Sequence, residues 1–185
     1  YYTISQLQDI VQAIRNNRYE VLCYFHENEF IKDYLNKKFE AYSKDLLVIN
    51  TAKTGISVGR KSLIPAFCEL NSIKYFGCNP YTVSFAKDKY HWHLLLRNYN
   101  LPICNYWLFH KTIGWTNNKR PPKGIKIIAK LNSESCSMGI GRRSIENYTP
   151  EYDSYLQKLS SEYNQHIIVE EFISGYEIEV PLLIS

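Results

Sequence analysis

The sequence predicts an α/β protein in two successive parts: an open parallel sheet with helices on its faces, then an α+β part with its own sheet. Three observations predict this. Over residues 1–80, helical apolar spacing alternates with short apolar runs, in the order helix, strand, helix, strand, helix, strand. Near residues 81–85 that alternation gives way to a long helical stretch followed by strands punctuated by turn residues. The final stretch from Ile167, IIVEEFISGYEIEVPLLIS, joins an apolar run to the carboxylates Glu170, Glu171, Glu177 and Glu179 around a Ser174-Gly175 bend.

The elements follow in order. Ile4, Leu7, Ile10, Val11 and Ile14 repeat at helical spacing, with Ser5 and Asn16-Asn17 as end signals. Residues 20–25 read as a short strand. Residues 30–39 read as an amphipathic helix with Ile31, Tyr34, Leu35 and Phe39 on one side. The apolar run 46–49 is short enough for a buried parallel strand and is followed by Asn50. Residues 53–61 are polar with two glycines, hence a loop. Leu63–Leu70 reads as a helix with Pro65 in its first turn, where proline is tolerated. Residues 73–76 form the next strand, closed by Gly77 and an Asn79-Pro80 turn.

Residues 82–98 form the longest helical stretch and carry Lys87, Asp88 and Lys89; Leu101-Pro102 ends it. A strand over 104–109, a turn over 115–123 and a strand over Lys126–Leu131 are expected to form a pair. A helix over 152–163 and a strand over 167–172 complete the pattern. Residues 177–180 alternate, which puts Glu177 and Glu179 on one face of a last strand.

Composition narrows the function. A chain of 185 residues that is 45% hydrophobic can bury a core, in one or two domains. The net charge of +4 is scattered, with short clusters at Lys119-Arg120 and Arg142-Arg143, which suits an anionic small molecule better than a nucleic-acid duplex. The 16 tyrosines fall mostly among apolar positions and read as core packing. Five cysteines, odd in number and without a C-x-x-C, read as free thiols in a reducing, cytoplasmic setting; four have the apolar or aromatic neighbours of buried thiols. No stretch reaches the length of a membrane span, and residues 1–20 lack a signal peptide's apolar segment. Beginning at Tyr1 and stopping within a strand pattern, the chain reads as a piece of a longer protein.

Period two puts Lys126, Ile128 and Lys130 on one face of their strand, with Lys130 at its end. An ammonium there reaches an adenine or an α-phosphate held by the following loop, or is simply a solvated lysine. The loop Ser133-Glu134-Ser135-Cys136-Ser137-Met138-Gly139 is small enough to fold its amides over phosphates, as many surface loops also are. Glu170-Glu171 and the bend after them offer an edge to an adenine, and Glu177 offers a carboxylate to a ribose; an ordinary strand–turn–strand with solvated acids reads the same way. His91 and His93 stand at i, i+2, a spacing at which helical side chains do not face each other, so no metal pair is expected from them.

Taken together, these motifs resemble the ATP-grasp superfamily, and within it the D-alanine–D-alanine ligases. Asp88-Lys89 opening a helix, LVIN (47–50), LIPAFCELNSIKYFG (63–77), IIAK (127–130), ESCSMG (134–139), VEEFISG (169–175) and Glu177 stand in that family's order and close to its spacing. The resemblance implies a Rossmann-like half-domain over residues 1–84, a small ATP-binding subdomain over 85–168, and a hinge strand beginning a second subdomain over 169–185. It implies an ATP-dependent carboxylate–amine ligase acting through an acyl phosphate. Lys89 and Lys130 would lie on the phosphates, and Ser137, Met138 and Gly139 in the lid loop. Glu170 would accept the adenine amine, Glu171 and Ile173 would make backbone hinge contacts, and Glu177 would hold the ribose. Catalytic residues stay unassigned. Mg²⁺ would be expected in the parent protein, with ligands outside this chain.

Partners would be ATP and a small amino-acid-like substrate, with a homodimer possible and neither nucleic acid nor membrane. A ligase for another amino acid or peptide, or a non-catalytic nucleotide-binding module, are the alternatives. Ser135 replaces the family's loop glycine, Cys136 its usual serine and Leu131 its usual proline, while Pro181 interrupts the last strand. The family's amino-terminal glutamate motif, later arginine and metal-holding acids have no counterpart here.

Overall fold

Thr3 heads helix α1 (Ile4–Asn16) with a reciprocal cap: Gln6 N–H donates to its hydroxyl at 3.2 Å, and its own N–H donates to Gln6 Oε1 at 2.8 Å. In the computed structural model the described residues are 3–42, 45–52, 54–55, 57–178 and 180. Glu179, on which the alternation over 177–180 rests, and Pro181, which interrupts that strand, lie outside them, as do Lys53 and Ile56 of the 53–61 loop. The chain divides into two compact units, Tyr1–Ala86 and Lys87–Ser185.

In the first unit α2 (Glu27–Leu35) starts earlier and stops earlier than its apolar spacing suggests, because Glu27 and Glu29 favour the positive end of the helix. Strands β1 (Leu47–Ile49) and β2 (Lys74–Phe76) pair in parallel, Leu47 opposite Lys74 and Ile49 opposite Phe76, joined through α3 (Leu63–Leu70). Phe30, Phe39, Ile64, Cys68 and Ile73 form the core of this unit, with Phe67 edge-on to Tyr34 at 5.4 Å. The α1 side chains Leu7, Val11 and Ile14 are only half-buried, and no residue of α1 is buried. The strand expected over 20–25 is absent. Its alternation finds no partner strand, and Leu22 and Phe25 lie exposed.

The long helix expected over 82–98 is two helices. Asn79 caps α4 (Pro80–Phe85) by accepting from Thr82 N–H at 2.8 Å, and Asp88 caps α5 (Lys89–Asn98) by accepting from His91 N–H at 3.1 Å. A capping carboxylate competes with helix continuation, so the chain breaks at Ala86–Asp88 rather than running on.

The second unit is built on an antiparallel sheet. Its strands are β3 (Tyr106–His110), β4 (Gly114–Trp115), β5 (Lys126–Leu131), β6 (Ile145–Asn147) and β7 (Ile167–Glu171), in the order β4-β3-β7-β5-β6. The expected pairing of β3 with β5 does not occur. The long apolar strand β7, fully buried from Ile167 to Val169, needs two neighbours and takes the centre. The turn after β3 instead returns as the two-residue β4. Residues 172–178 and 180 form no strand, and Tyr176, Ile178 and Val180 are exposed.

Period two then sorts the sheet's faces. Ile127, Ala129, Leu131, Ile167 and Val169 form one core with Leu156 and Leu159 of α6 (Asp153–Tyr163) and with Tyr148 and Tyr152. Each of the isoleucine, leucine and valine side chains contributes about 1.5–3 kcal/mol on burial, and Ala129 less. Asp153 anchors this core, accepting from Trp115 Nε1–H and Tyr148 O–H, both at 2.9 Å. Burial, then the Asp153 carboxylate, push the Tyr148 phenol up to about 12. The opposite face carries Ile128, Lys130, Ile168 and Glu170.

Two compositional expectations need correction. Of the five cysteines, Cys68 alone is buried; Cys23, Cys78 and Cys136 are exposed, because they fall in loops rather than on apolar faces. Of the tyrosines, Tyr148 and Tyr152 are core residues, whereas Tyr19, Tyr42, Tyr81, Tyr99 and Tyr176 are exposed. Among the described residues no helix is long and apolar enough to cross a membrane.

Candidate functional site

Two elements of the second unit meet where β5 ends. The start of α5 is stitched to the loop after β5 through Asn132, whose Nδ2–H donates to Asp88 at 2.9 Å and whose Oδ1 accepts from Tyr90 N–H at 2.9 Å. Burial would push the Asp88 carboxyl up. The hydrogen bonds it accepts from Asn132 and from His91 outweigh this and hold it below its ordinary value.

Lys89 is the pin of this junction. Its ammonium donates to the carbonyls of Leu131 at 2.9 Å, Asn132 at 3.4 Å and Glu134. An ammonium has three protons, so its donors are fully used. Burial pushes its pKa down, and the neighbouring charge of Lys87 pushes the same way, while Glu170 opposes them. Lys87 itself donates to Ser135 Oγ at 2.9 Å. Ser133 is buried and its N–H donates to Gln165 Oε1 at 3.0 Å, so the loop is tied down at its base.

Its tip differs. Cys136 and Ser137 are exposed and left-handed, at φ 57° and 54°. Gly139 closes the loop at φ +74°, and a Cβ there would stand 2.9 Å from Leu131 Cγ and Cδ1, a core side chain. Only glycine fits both demands.

Lys89, Lys130, Ser137, Met138 and Glu177 line one cavity of about 370 Å³, together with Ile128, Leu131, Glu134, Ser135, Cys136 and Ile140. That volume lies within the roughly 300–1,000 Å³ of small-molecule sites. Gly139 is not in this lining. Glu170 stands behind it, its Oε2 accepting from Lys130 Nζ at 2.6 Å. Glu171 turns away and accepts from Asn105 Nδ2–H at 2.8 Å, and its own N–H is given to the Asn105 carbonyl at 2.8 Å. Ile173 is exposed and outside the cavity.

The sequence reading left several residues without a role. Lys87 and Asn132 gave no signal beyond a charge and a polar residue at a strand end. The i, i+2 spacing of His91 and His93 gives no sign of a role for His93. The structure separates the two histidines: His91 Nδ1 faces Asp88 at 2.8 Å, whereas His93 is buried among Tyr106, Cys104 and Glu170. A partner set drawn from three separate elements leaves no local spacing to read.

Comparison with known proteins gives no matching family model. A relative from Sinorhizobium fredii, named uncharacterized protein y4sG, is 26% identical over 137 residues, spanning 74% of this chain and 39% of its own. Among solved structures, the D-alanine–D-alanine ligase of Bacillus anthracis complexed with ATP superposes at a TM-score of 0.66 with 18% identity, over 95% of this chain and 57% of its own. The Helicobacter pylori D-alanine–D-alanine ligase superposes at 0.53 with 18% identity, over 70% and 37%. The chain therefore spans little more than half of the ligase it matches over almost its whole length. Likeness at these identities is a likeness of fold, and the fold of this chain is α/β and ATP-grasp-like, shared with the D-alanine–D-alanine ligases.

Proposed function

We propose that the second unit binds an adenine nucleotide, and that the chain is the ATP-binding part of an ATP-dependent carboxylate–amine ligase acting through an acyl phosphate. The observation that carries this reading is the gathering of Lys89, Lys130, Ser137, Met138 and Glu177 around one cavity. In this reading residues 1–84 form the Rossmann-like part, 85–168 the small nucleotide-binding subdomain and 169–185 the hinge into a second one. The co-substrates are a small amino-acid-like carboxylate and amine.

Lys130, at the end of β5, presents a positive charge to the phosphates, and Glu170 holds it in place until a phosphate competes for it. Lys89 acts at one remove. With its three protons on the loop carbonyls, it shapes the backbone that covers the phosphates and adds its charge to the field there. Ser137 and the neighbouring amides form the lid. Glu170 accepts the adenine amine, Glu171 contributes its carbonyl because its N–H is engaged, Ile173 supplies hinge backbone, and Glu177 takes the ribose hydroxyls.

Mg²⁺ binds through oxygen ligands, usually one or two protein carboxylates with the substrate phosphates. Glu134 and Glu177 are the carboxylates lining the cavity. Glu134 is partnered with Gln165 at 3.4 Å, and Glu177 is given to the ribose. In this reading the carboxylates that would hold Mg²⁺ lie outside the described residues.

Titration calorimetry with ATP tests the reading. A hydrogen bond to a charged group is worth about 1.5–3 kcal/mol, so Lys130→Ala is expected to weaken binding about tenfold or more. Equal ATP affinity in the native protein and a folded Lys130→Ala, Glu177→Ala double variant would remove the cavity assignment.

A further inference from the structure

Behind the cavity, three side chains from three elements converge: His93 from α5, Cys104 from the segment before β3, and Glu170 from β7. One ligand-type atom from each lies within 4.8 Å of the other two. The His93 and Glu170 side chains are 5% and 9% exposed. His93 Nδ1 lies 2.7 Å from the Lys89 carbonyl oxygen. A carbonyl only accepts, so Nδ1 carries the proton, and in the neutral ring Nε2 carries the lone pair. That lone pair faces Glu170 Oε1 at 3.6 Å. Two acceptors then confront each other in a buried place, which is unfavourable without a cation between them. A charged imidazolium would relieve this by a direct hydrogen bond, but such bonds close to about 2.7–2.9 Å, and this pair stands well apart.

The separation is right for two ligands of one ion. Bonds of about 2.0–2.3 Å from a tetrahedral zinc set its ligand atoms roughly 3.3–3.7 Å apart. The geometry points to a Zn²⁺ site formed by His93 Nε2, Cys104 Sγ and Glu170 Oε1. Its outer shell is already in place, as metal sites require. The second nitrogen of the histidine donates to a backbone carbonyl, and the second oxygen of the carboxylate accepts from Lys130 at 2.6 Å. A nitrogen, sulfur and oxygen set is foreign to Mg²⁺ and Ca²⁺ and suits zinc. Three protein ligands leave a fourth position for water, and Cys104 is half-buried. The site uses Glu170 Oε1 while Oε2 meets Lys130, so it draws on the same carboxylate that the proposed function gives to the adenine amine, and its test is read without nucleotide.

The test is cobalt substitution. Chelator-treated, reduced protein titrated with Co²⁺ is expected to develop a thiolate-to-cobalt charge-transfer band that saturates at one equivalent and is bleached by Zn²⁺. Cys104→Ser should abolish the band, and His93→Gln should weaken cobalt binding about tenfold or more. No band in the native protein, or an undiminished band in Cys104→Ser, would overturn the assignment. Because both substitutions lie in packed surroundings, the unaltered protein supplies a second readout. One equivalent of Zn²⁺ should slow iodoacetamide modification of Cys104, followed by mass spectrometry, about tenfold, while the exposed Cys23 and Cys78 react as before. Equal rates at Cys104 with and without zinc would equally overturn it.

Discussion

Gly139 and the Lys130–Glu170 pair hold the site's residue-scale chemistry. Gly139→Ala puts a methyl group against Leu131 at 2.9 Å in a left-handed conformation, and Leu131 is a core side chain, 1% exposed. A loss of about 1–3 kcal/mol in urea unfolding is expected; a change within about 0.5 kcal/mol would mean the loop relaxes freely. The pair makes a separate prediction. Lys130→Ala leaves a 9%-exposed carboxylate without its ammonium, and removing one partner of a buried pair costs more than the pair is worth. Stability should fall by on the order of 1–3 kcal/mol, and adding Glu170→Gln should recover most of it. A double variant no more stable than Lys130→Ala would show that the carboxylate is satisfied without the lysine.

At the scale of elements, the junction of α5 with the loop after β5 rests on Asp88, and its charge gives that junction a pH dependence. Burial raises the Asp88 carboxyl but the hydrogen bonds from Asn132 and His91 lower it further, so it ionises more readily folded than unfolded. Its stabilisation is therefore complete above the unfolded value of about 3.9 and is lost as pH falls below that through the depressed folded value. Asp88→Asn keeps a capping oxygen but has no proton to gain. Stability against pH should thus be flatter below about pH 4 in the variant than in the native protein, as measured by urea midpoints; parallel curves would remove Asp88 from the acid response. The elements also mark what the sequence discloses. β5 is legible because period two runs through six residues, with Ile127, Ala129 and Leu131 inward. The central place of β7 is not, since a buried strand looks the same whether it pairs with one neighbour or two. Residues 20–25 fail for the converse reason: alternation describes a strand's faces and says nothing of its partner. In the site, Lys89 and Lys130 are found by motif, whereas the roles of Asn132 and His93 come from contacts across some forty or more residues and Cys104 from three elements at once.

For the whole molecule, the two units differ in what they can bury. The second has a sheet of five strands with α6 on one face and a core of eleven buried residues, enough for a self-sufficient domain. Among its described residues the first has two three-residue strands, five buried core residues and an α1 with none. A two-stranded sheet is marginal alone. Residues 87–185 produced by themselves should therefore fold cooperatively, whereas residues 1–86 should not. All three tryptophans, Trp92, Trp107 and Trp115, lie in the second unit, so their fluorescence reports on it alone. Residues 87–185 should give a single sigmoidal urea transition in fluorescence with a slope of about 1–3 kcal/mol/M. The cavity-lining residues all belong to this unit, so it should also retain whatever ATP affinity the whole chain has. A broad, sloping fluorescence change would mean that the core around Trp115 and Leu156 is not sufficient to fold this unit. A cooperative transition with ATP binding lost would place part of the nucleotide site outside residues 87–185.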